Sequence, residues 1–236
     1  MITAQSSATE DRVIQLIPPE QPSWRDLPAD GEIARYSAWL VECEQAMVPV
    51  GMLPPGRDAA VVVWGPGTPR RAPFIELLTA WEEARATAGQ AIPPAGHYDP
   101  MRFLGALGHV LLVEREAGPP LDFRYRIYGS RTAVRAARDW TGQTIRDMGR
   151  ELRSGVALFY LAAYEACRDR ARPLYTVHES PPWLSDRMWV RQILPYAGAD
   201  GRPQAFLTCV LALDAREEGI TKPSLDRPAF GADGWF

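Results

Sequence analysis

Residues 121–128 alternate without a break, with Leu121, Phe123, Tyr125 and Ile127 on one side and Asp122, Arg124, Arg126 and Tyr128 on the other. A period of two sends successive side chains to opposite faces of a strand. The segment is therefore expected to turn Phe123, Tyr125 and Ile127 toward a core and Arg124 and Arg126 away from it. The apolar run 109–114 precedes it across AGPP, which makes the pair a hairpin. Three more strands read from 174–179, 189–196 and 204–213, the last two joined at Asp200-Gly201, a turn dipeptide. Between proline- and glycine-rich breaks, 59–64 forms one further short apolar strand.

Helical spacing marks the rest. Ile33, Tyr36, Leu40, Cys43 and Met47 follow a capping Asp30 at three- and four-residue steps. From Pro73, the residues Phe74, Leu77, Leu78, Trp81, Ala84 and Ala88 share a face. His97-Tyr98-Asp99-Pro100 starts a short helix through Leu104. After Gly129 come short helices with Arg131, Arg135 and Arg138 on one stripe. The longest helix is expected over 151–170, burying Leu152, Val156, Phe159, Ala163 and Cys167 and stopping at Pro173.

Hairpins at both ends of a segment with helices between them predict an α+β fold: a five-stranded antiparallel sheet with its helices on one face, plus an N-terminal helical extension. The expected organisation is a flexible arm at 1–29, a helical extension and linker at 30–72, a main domain at 73–214 and a tail at 215–236. The tail carries Phe230, Trp235 and Phe236.

Composition narrows the partners. With 46% apolar residues the 236-residue chain can build a core, and a net charge of −3 argues against a general affinity for nucleic acid or anionic lipid. Only one of the 26 basic residues is lysine, Lys222; an arginine bias this strong reflects coding composition and weakens arguments from arginine alone. Arg124, Arg126, Arg131, Arg135 and Arg138 could meet nucleic acid or an acidic partner, but no DNA-binding module accompanies them, so a solvated face is expected. Cys43, Cys167 and Cys209 are scattered and fit a reduced cytoplasmic compartment. No secretory signal is visible, and MRFLGALGHVLLV is too short to span a bilayer, so no membrane association is expected.

The motifs of common enzymes are missing: no GxSxG, HExxH, GxGxxG or GxxxxGK[ST], and histidine is limited to His97, His109 and His178. His178 and Glu179, neighbours on a strand, face opposite sides and cannot polarise each other. His97 and Asp99 are two groups where a metal needs three or four. No catalytic residue and no metal site are expected. A pocket is: Tyr125, Phe159, Ala163 and Cys209 between sheet and long helix, with Tyr160, Tyr164 or His178 as polar handles. Tyr125 leads the set, because a hydroxyl on an otherwise apolar face must find a partner.

The segment 77–213 resembles a PAS-like family of alphaproteobacterial type, known as PAS-domain proteins of unknown function. The match rests on Ala80-Trp81-Glu82 with Arg85, Tyr98-Asp99-Pro100, Phe123-Arg124-Tyr125-Arg126 with Tyr128-Gly129-Ser130, Thr141-Gly142, and Leu194-Pro195 with Asp200-Gly201. The resemblance implies a stand-alone bacterial sensory protein in signal transduction. It implies neither flavin nor haem: Cys167 lies in YEACRDR without the asparagine of the flavin-adduct motif, and 151–170 contains no histidine for haem. An unidentified small molecule is the expected ligand. With no output domain in view, the signal is expected to pass to a separate effector protein or through self-association as a homodimer, with Phe74, Leu78 and Trp81 as the dimerisation face. The alternatives are a ligand-free dimeric scaffold and, third, a small enzyme using His178.

Overall fold

The computed structural model describes residues 27–43, 45–49, 59–64, 71–152, 155–179 and 187–214, with backbone alone at 45–49, 59–64, 179, 187 and 214. Its strands are β1 (Gln45–Pro49), β2 (Ala59–Trp64), β3 (Val110–Arg115), β4 (Phe123–Tyr128), β5 (Leu174–Glu179), β6 (Arg187–Ala197) and β7 (Pro203–Asp214). All pair antiparallel in one open sheet, ordered β1-β2-β5-β6-β7-β3-β4. The fold is α+β. The five strands read from the main domain, β3 to β7, lie side by side, and the β1–β2 hairpin extends them beyond β5.

The N-terminal extension thus supplies strands as well as a helix. The first helix, α1 (Asp30–Glu42), stops before Cys43, whose φ of −91° and ψ of 131° are extended. Met47, expected on the helical stripe, instead pairs with Val61 in the β1–β2 ladder. Residues 45–49 are taken up by pairing with β2, and Pro49 bars a helix from running on through them.

Helices cover both faces of the sheet, which corrects the one-face expectation. On one side α5 (Val156–Arg170) and α4 (Ile145–Leu152) pack on Phe123, Tyr125, Trp189, Ile193 and Phe206. Every residue of α5 from Val156 to Tyr164 is buried. A helix apolar all round needs cover on both sides, and α1 supplies the outer layer with Ile33, Tyr36 and Leu40. On the far side α2 (Ala72–Ala88) and the 3-10 segment Pro100–His109 bury Phe74, Leu77, Trp81 and Phe103 against Val177, Val190, Leu194 and Leu207. The sequence of β6 requires this, because Trp189 and Ile193 alternate with Val190 and Leu194 and both faces are apolar.

The expected single helix over 151–170 is divided: Leu152 closes α4, and α5 begins at Val156. At 17 residues, α2 is longer than the 15-residue α5.

In the opening alternation, Ile127 departs from expectation. Val113 pairs with Tyr125 but Leu112 pairs with Ile127, so Arg126 is an extra residue in the ladder. One inserted residue inverts the alternation beyond it. Ile127 is consequently 47% exposed, and Tyr128 turns inward with its ring edge-on to that of Tyr125.

The arginines do not form one stripe. Arg124 bonds Glu116 and the Gly142 carbonyl, and Arg126 bonds Glu114. The helix α3 (Ser130–Arg135) ends before Arg138, since Ala137 takes a left-handed φ of 57°. Arg138 instead pairs with Glu151 and stacks on Trp140.

Of the expected arm, residues 1–26 lie outside the described residues, as does the tail at 215–236. Pro28, at the end of the arm, is buried, and its carbonyl accepts from Arg146. Among the described residues, no helix is long and apolar enough to cross a membrane.

Candidate functional site

Strand register brings a polar group together inside the apolar layer. Thr176 lies opposite Arg191, His178 opposite Trp189, and Thr208 opposite Ile193. Residues directly opposed in antiparallel strands share a face. Trp189 and Ile193 belong to the core under α5, so Thr176, His178, Arg191 and Thr208 rise from three adjacent strands toward that helix. Tyr160 and Tyr164, one turn apart on α5, reach the same layer: Tyr164 meets the Thr208 hydroxyl at 3.2 Å and Tyr160 meets His178 Nε2 at 2.8 Å. Tyr125 and Tyr128 close the side toward β4.

Arg191 dominates this group. It is only 7% exposed, and among the described residues no carboxylate pairs with it. Its Cζ stands 3.9 Å from the centre of the Tyr160 ring, and Nη2 donates to the Tyr160 hydroxyl. Nη1 is nearly equidistant from the two nitrogens of His178, at 3.1 and 3.2 Å. Equal distances of this size place it against the face of the imidazole rather than in line with either lone pair. The cation is thus stacked between rings. Stacking stabilises a guanidinium, and both terminal nitrogens reach neutral partners, the His178 ring and the Tyr160 hydroxyl, rather than a carboxylate. Beside it, the Thr176 hydroxyl is fully buried and has no hydrogen-bond partner among the described residues.

The protonation states follow from burial. Burial, and after it the charge of Arg191, hold His178 well below its ordinary value, so the imidazole is neutral near pH 7. Burial pushes Tyr164 up to about 12 and raises Tyr160, Tyr125 and Tyr128, so all four phenols keep their protons. Burial opposes the charge on Arg191, but the surrounding tyrosines favour it and hold the guanidinium above its ordinary value, so it keeps its proton. One uncompensated positive charge remains in the layer.

Five of the seven residues expected to line a pocket, Tyr125, Phe159, Tyr160, Ala163 and Tyr164, lie in this core, and His178 joins them through Tyr160. Among the described residues, the Tyr125 hydroxyl meets only the Met148 sulfur, at 3.6 Å. Cys209 does not join them. Thr208 faces α5, so its neighbour faces away, and Cys209 packs in the core beneath α2. The expected dimerisation face is likewise used within the chain: Phe74 and Trp81 are buried, Leu78 is packed beside them, and Trp81 Nε1 donates to the Pro195 carbonyl at 2.9 Å. Phe74 and Trp81 thus cover the second apolar face of the sheet, and Leu78 stays half-buried beside them. Arg191, Thr176, Thr208 and Tyr128 were not anticipated. The signal for Arg191 was present, a charge between Trp189 and Ile193 in phase with both, on a strand apolar on both faces.

Elsewhere, Arg131, Arg135, Arg71 and His109 border an open groove of about 710 Å³ with Val210 and Leu211 at its wall. Asp99, considered with His97, caps the 3-10 segment by accepting from the Met101 amide. Among the described residues, no three His, Cys, Asp or Glu side chains converge as a metal site. No family model, curated protein or solved structure matches the chain.

Proposed function

We propose that the chain is a PAS-like sensory module that binds a small ligand between α5 and the sheet and signals through a change in conformation or assembly. The observation that carries this reading is the buried group around Arg191. A cation, an orphan hydroxyl and four phenols in an otherwise apolar layer cost folding free energy. Ligand recognition gives that cost a purpose. The order β5-β6-β7-β3-β4 supports the PAS-like comparison, since the first strand of the domain lies between its second and its last, with helices inserted in sequence between the two halves.

The same strands offer a route for the signal. Thr176, His178 and Arg191 face α5, while Tyr175, Val177 and Val190 on the same strands face α2. The Phe74 ring of α2 stands edge-on to Tyr175 at 6.0 Å, and Trp81 is tied to β6 through Pro195. A ligand that binds one arrangement of β5 and β6 more tightly shifts how α2 sits, with coupling on the order of 1–3 kcal/mol. The recipient is a separate effector or a second copy of the chain. Three free, buried cysteines suit a reducing compartment.

Native mass spectrometry of the freshly purified full chain tests the reading. A retained small molecule, released on collisional activation, is expected. The bare chain mass in every preparation, together with a persistent dimer, would support the ligand-free scaffold instead.

A further inference from the structure

Resting on the sensory reading, we propose that the site takes a small monocarboxylate, its carboxylate held by Arg191 and the Thr176 hydroxyl and its apolar body lodged among the rings of Phe159, Tyr125 and Trp189. The charge comes first. Arg191 is more than nine-tenths buried and faces phenols and an imidazole instead of an acid. An unpaired charge in such a layer is far more costly than a paired one, and a ligand carboxylate restores neutrality.

The arrangement of donors agrees. A guanidinium stacked on Tyr160 presents its edge, and planar acceptors with two oxygens engage such an edge in paired, charge-assisted bonds. Thr176 lies directly across the ladder from Arg191 and holds a hydroxyl without a partner. A hydroxyl in that position donates to the same carboxylate, which gives the Thr176 hydroxyl a partner and the Arg191 charge a counter-ion.

The count of charges limits the ligand to one acid group. His178 stays neutral, held down by burial and by Arg191, so among the described residues the layer contains a single cation. A dicarboxylate would bury a second charge without a partner. A phosphate monoester, with about −1.5 to −2 charges near neutral pH, would also exceed what one guanidinium balances. The surrounding aromatic surface favours an apolar remainder.

The test is calorimetric titration of the full chain with sodium acetate, sodium butyrate and sodium benzoate, alongside benzamide and inorganic phosphate. At least one carboxylate is expected to bind, with benzamide and phosphate at least about tenfold weaker. Arg191→Met is expected to weaken the carboxylate about ten- to hundredfold while remaining folded by circular dichroism. Thr176→Val, which preserves shape, is expected to weaken it about fivefold, and it keeps the proposal falsifiable should the arginine variant not fold. Equal binding of benzamide and benzoate, unchanged affinity in both variants, or no binding by any carboxylate would overturn it. If the wild-type chain retains a neutral molecule while no carboxylate binds, the ligand class is wrong and the sensory reading stands; if nothing is retained and nothing binds, both fall.

Discussion

The guanidinium of Arg191 lies 3.9 Å from the centre of the Tyr160 ring, deep between α5 and the sheet and without a carboxylate beside it among the described residues. The ring stabilises the cation but does not neutralise it. Arg146, the other buried arginine among the described residues, differs. Its Nε donates to the Leu121 carbonyl, Nη1 to that of Pro28 and Nη2 to the Asp30 carboxylate, so it fastens the start of α1 to the approach to β4.

Two arginines of similar burial should therefore respond oppositely to replacement by methionine. Arg191→Met is expected to leave stability unchanged or raise it by up to about 2 kcal/mol, since an unpaired buried charge gives way to an apolar chain of similar length. Arg146→Met is expected to cost about 2–4 kcal/mol, because two carbonyls lose a charged donor. Urea denaturation of both variants without added ligand measures the contrast.

The tyrosines should also separate. Tyr160→Phe removes a hydroxyl bonded to both Arg191 and His178 and is expected to cost about 1–3 kcal/mol. Tyr125→Phe removes one whose contact is a thioether sulfur, a weak acceptor, and is expected to cost less than about 1 kcal/mol. Chemical denaturation of the two variants at one pH gives the comparison.

Acid should act through His178. Burial and Arg191 place its folded value well below 6.5, so as pH falls below about 6.5 the unfolded chain takes up a proton that the folded chain does not. The favourable contribution is complete above that pH and is lost as pH falls, until the folded imidazole itself titrates. Stability of the wild type relative to His178→Gln should therefore decline by about 1.4 kcal/mol per pH unit below about 6. Paired denaturation curves across pH 5 to 8 (roughly the range of histidine titration) read the slope, with the other groups cancelling between the two proteins.

Burial of α2 against the sheet predicts the behaviour of Trp81. Trp81→Phe loses the bond to Pro195 and is expected to cost about 1–2 kcal/mol without changing the oligomeric state. Light scattering after size exclusion, together with thermal unfolding, checks both parts. Dissociation of an assembly without loss of stability would return Trp81 to an interface.

Alternation and helical spacing identified β3 to β7 and α2 because those segments are long and strongly patterned. They misled where one residue changed the phase. The helical stripe into Met47 continued through a stretch that pairs with β2 instead, and the insertion of Arg126 in the β3–β4 ladder exchanged Ile127 for Tyr128 in the core. Cys209 was assigned to the wrong face for a related reason: both sides of β7 are apolar, so its inward phase follows from neighbouring strands rather than from its own composition. Arginine was so frequent that no single one stood out. The separate environments of Arg191 and Arg124 appear only once strands are in register, which places Thr176 beside the first and Glu116 beside the second.

The most direct measurement is an electron density map of the full chain, crystallised as purified, in the layer bounded by Arg191, Thr176 and Tyr160. Non-protein density within hydrogen-bonding distance of the guanidinium is expected. A carboxylate of the chain itself paired with Arg191, or protein side chains filling the space around it, would contradict the account.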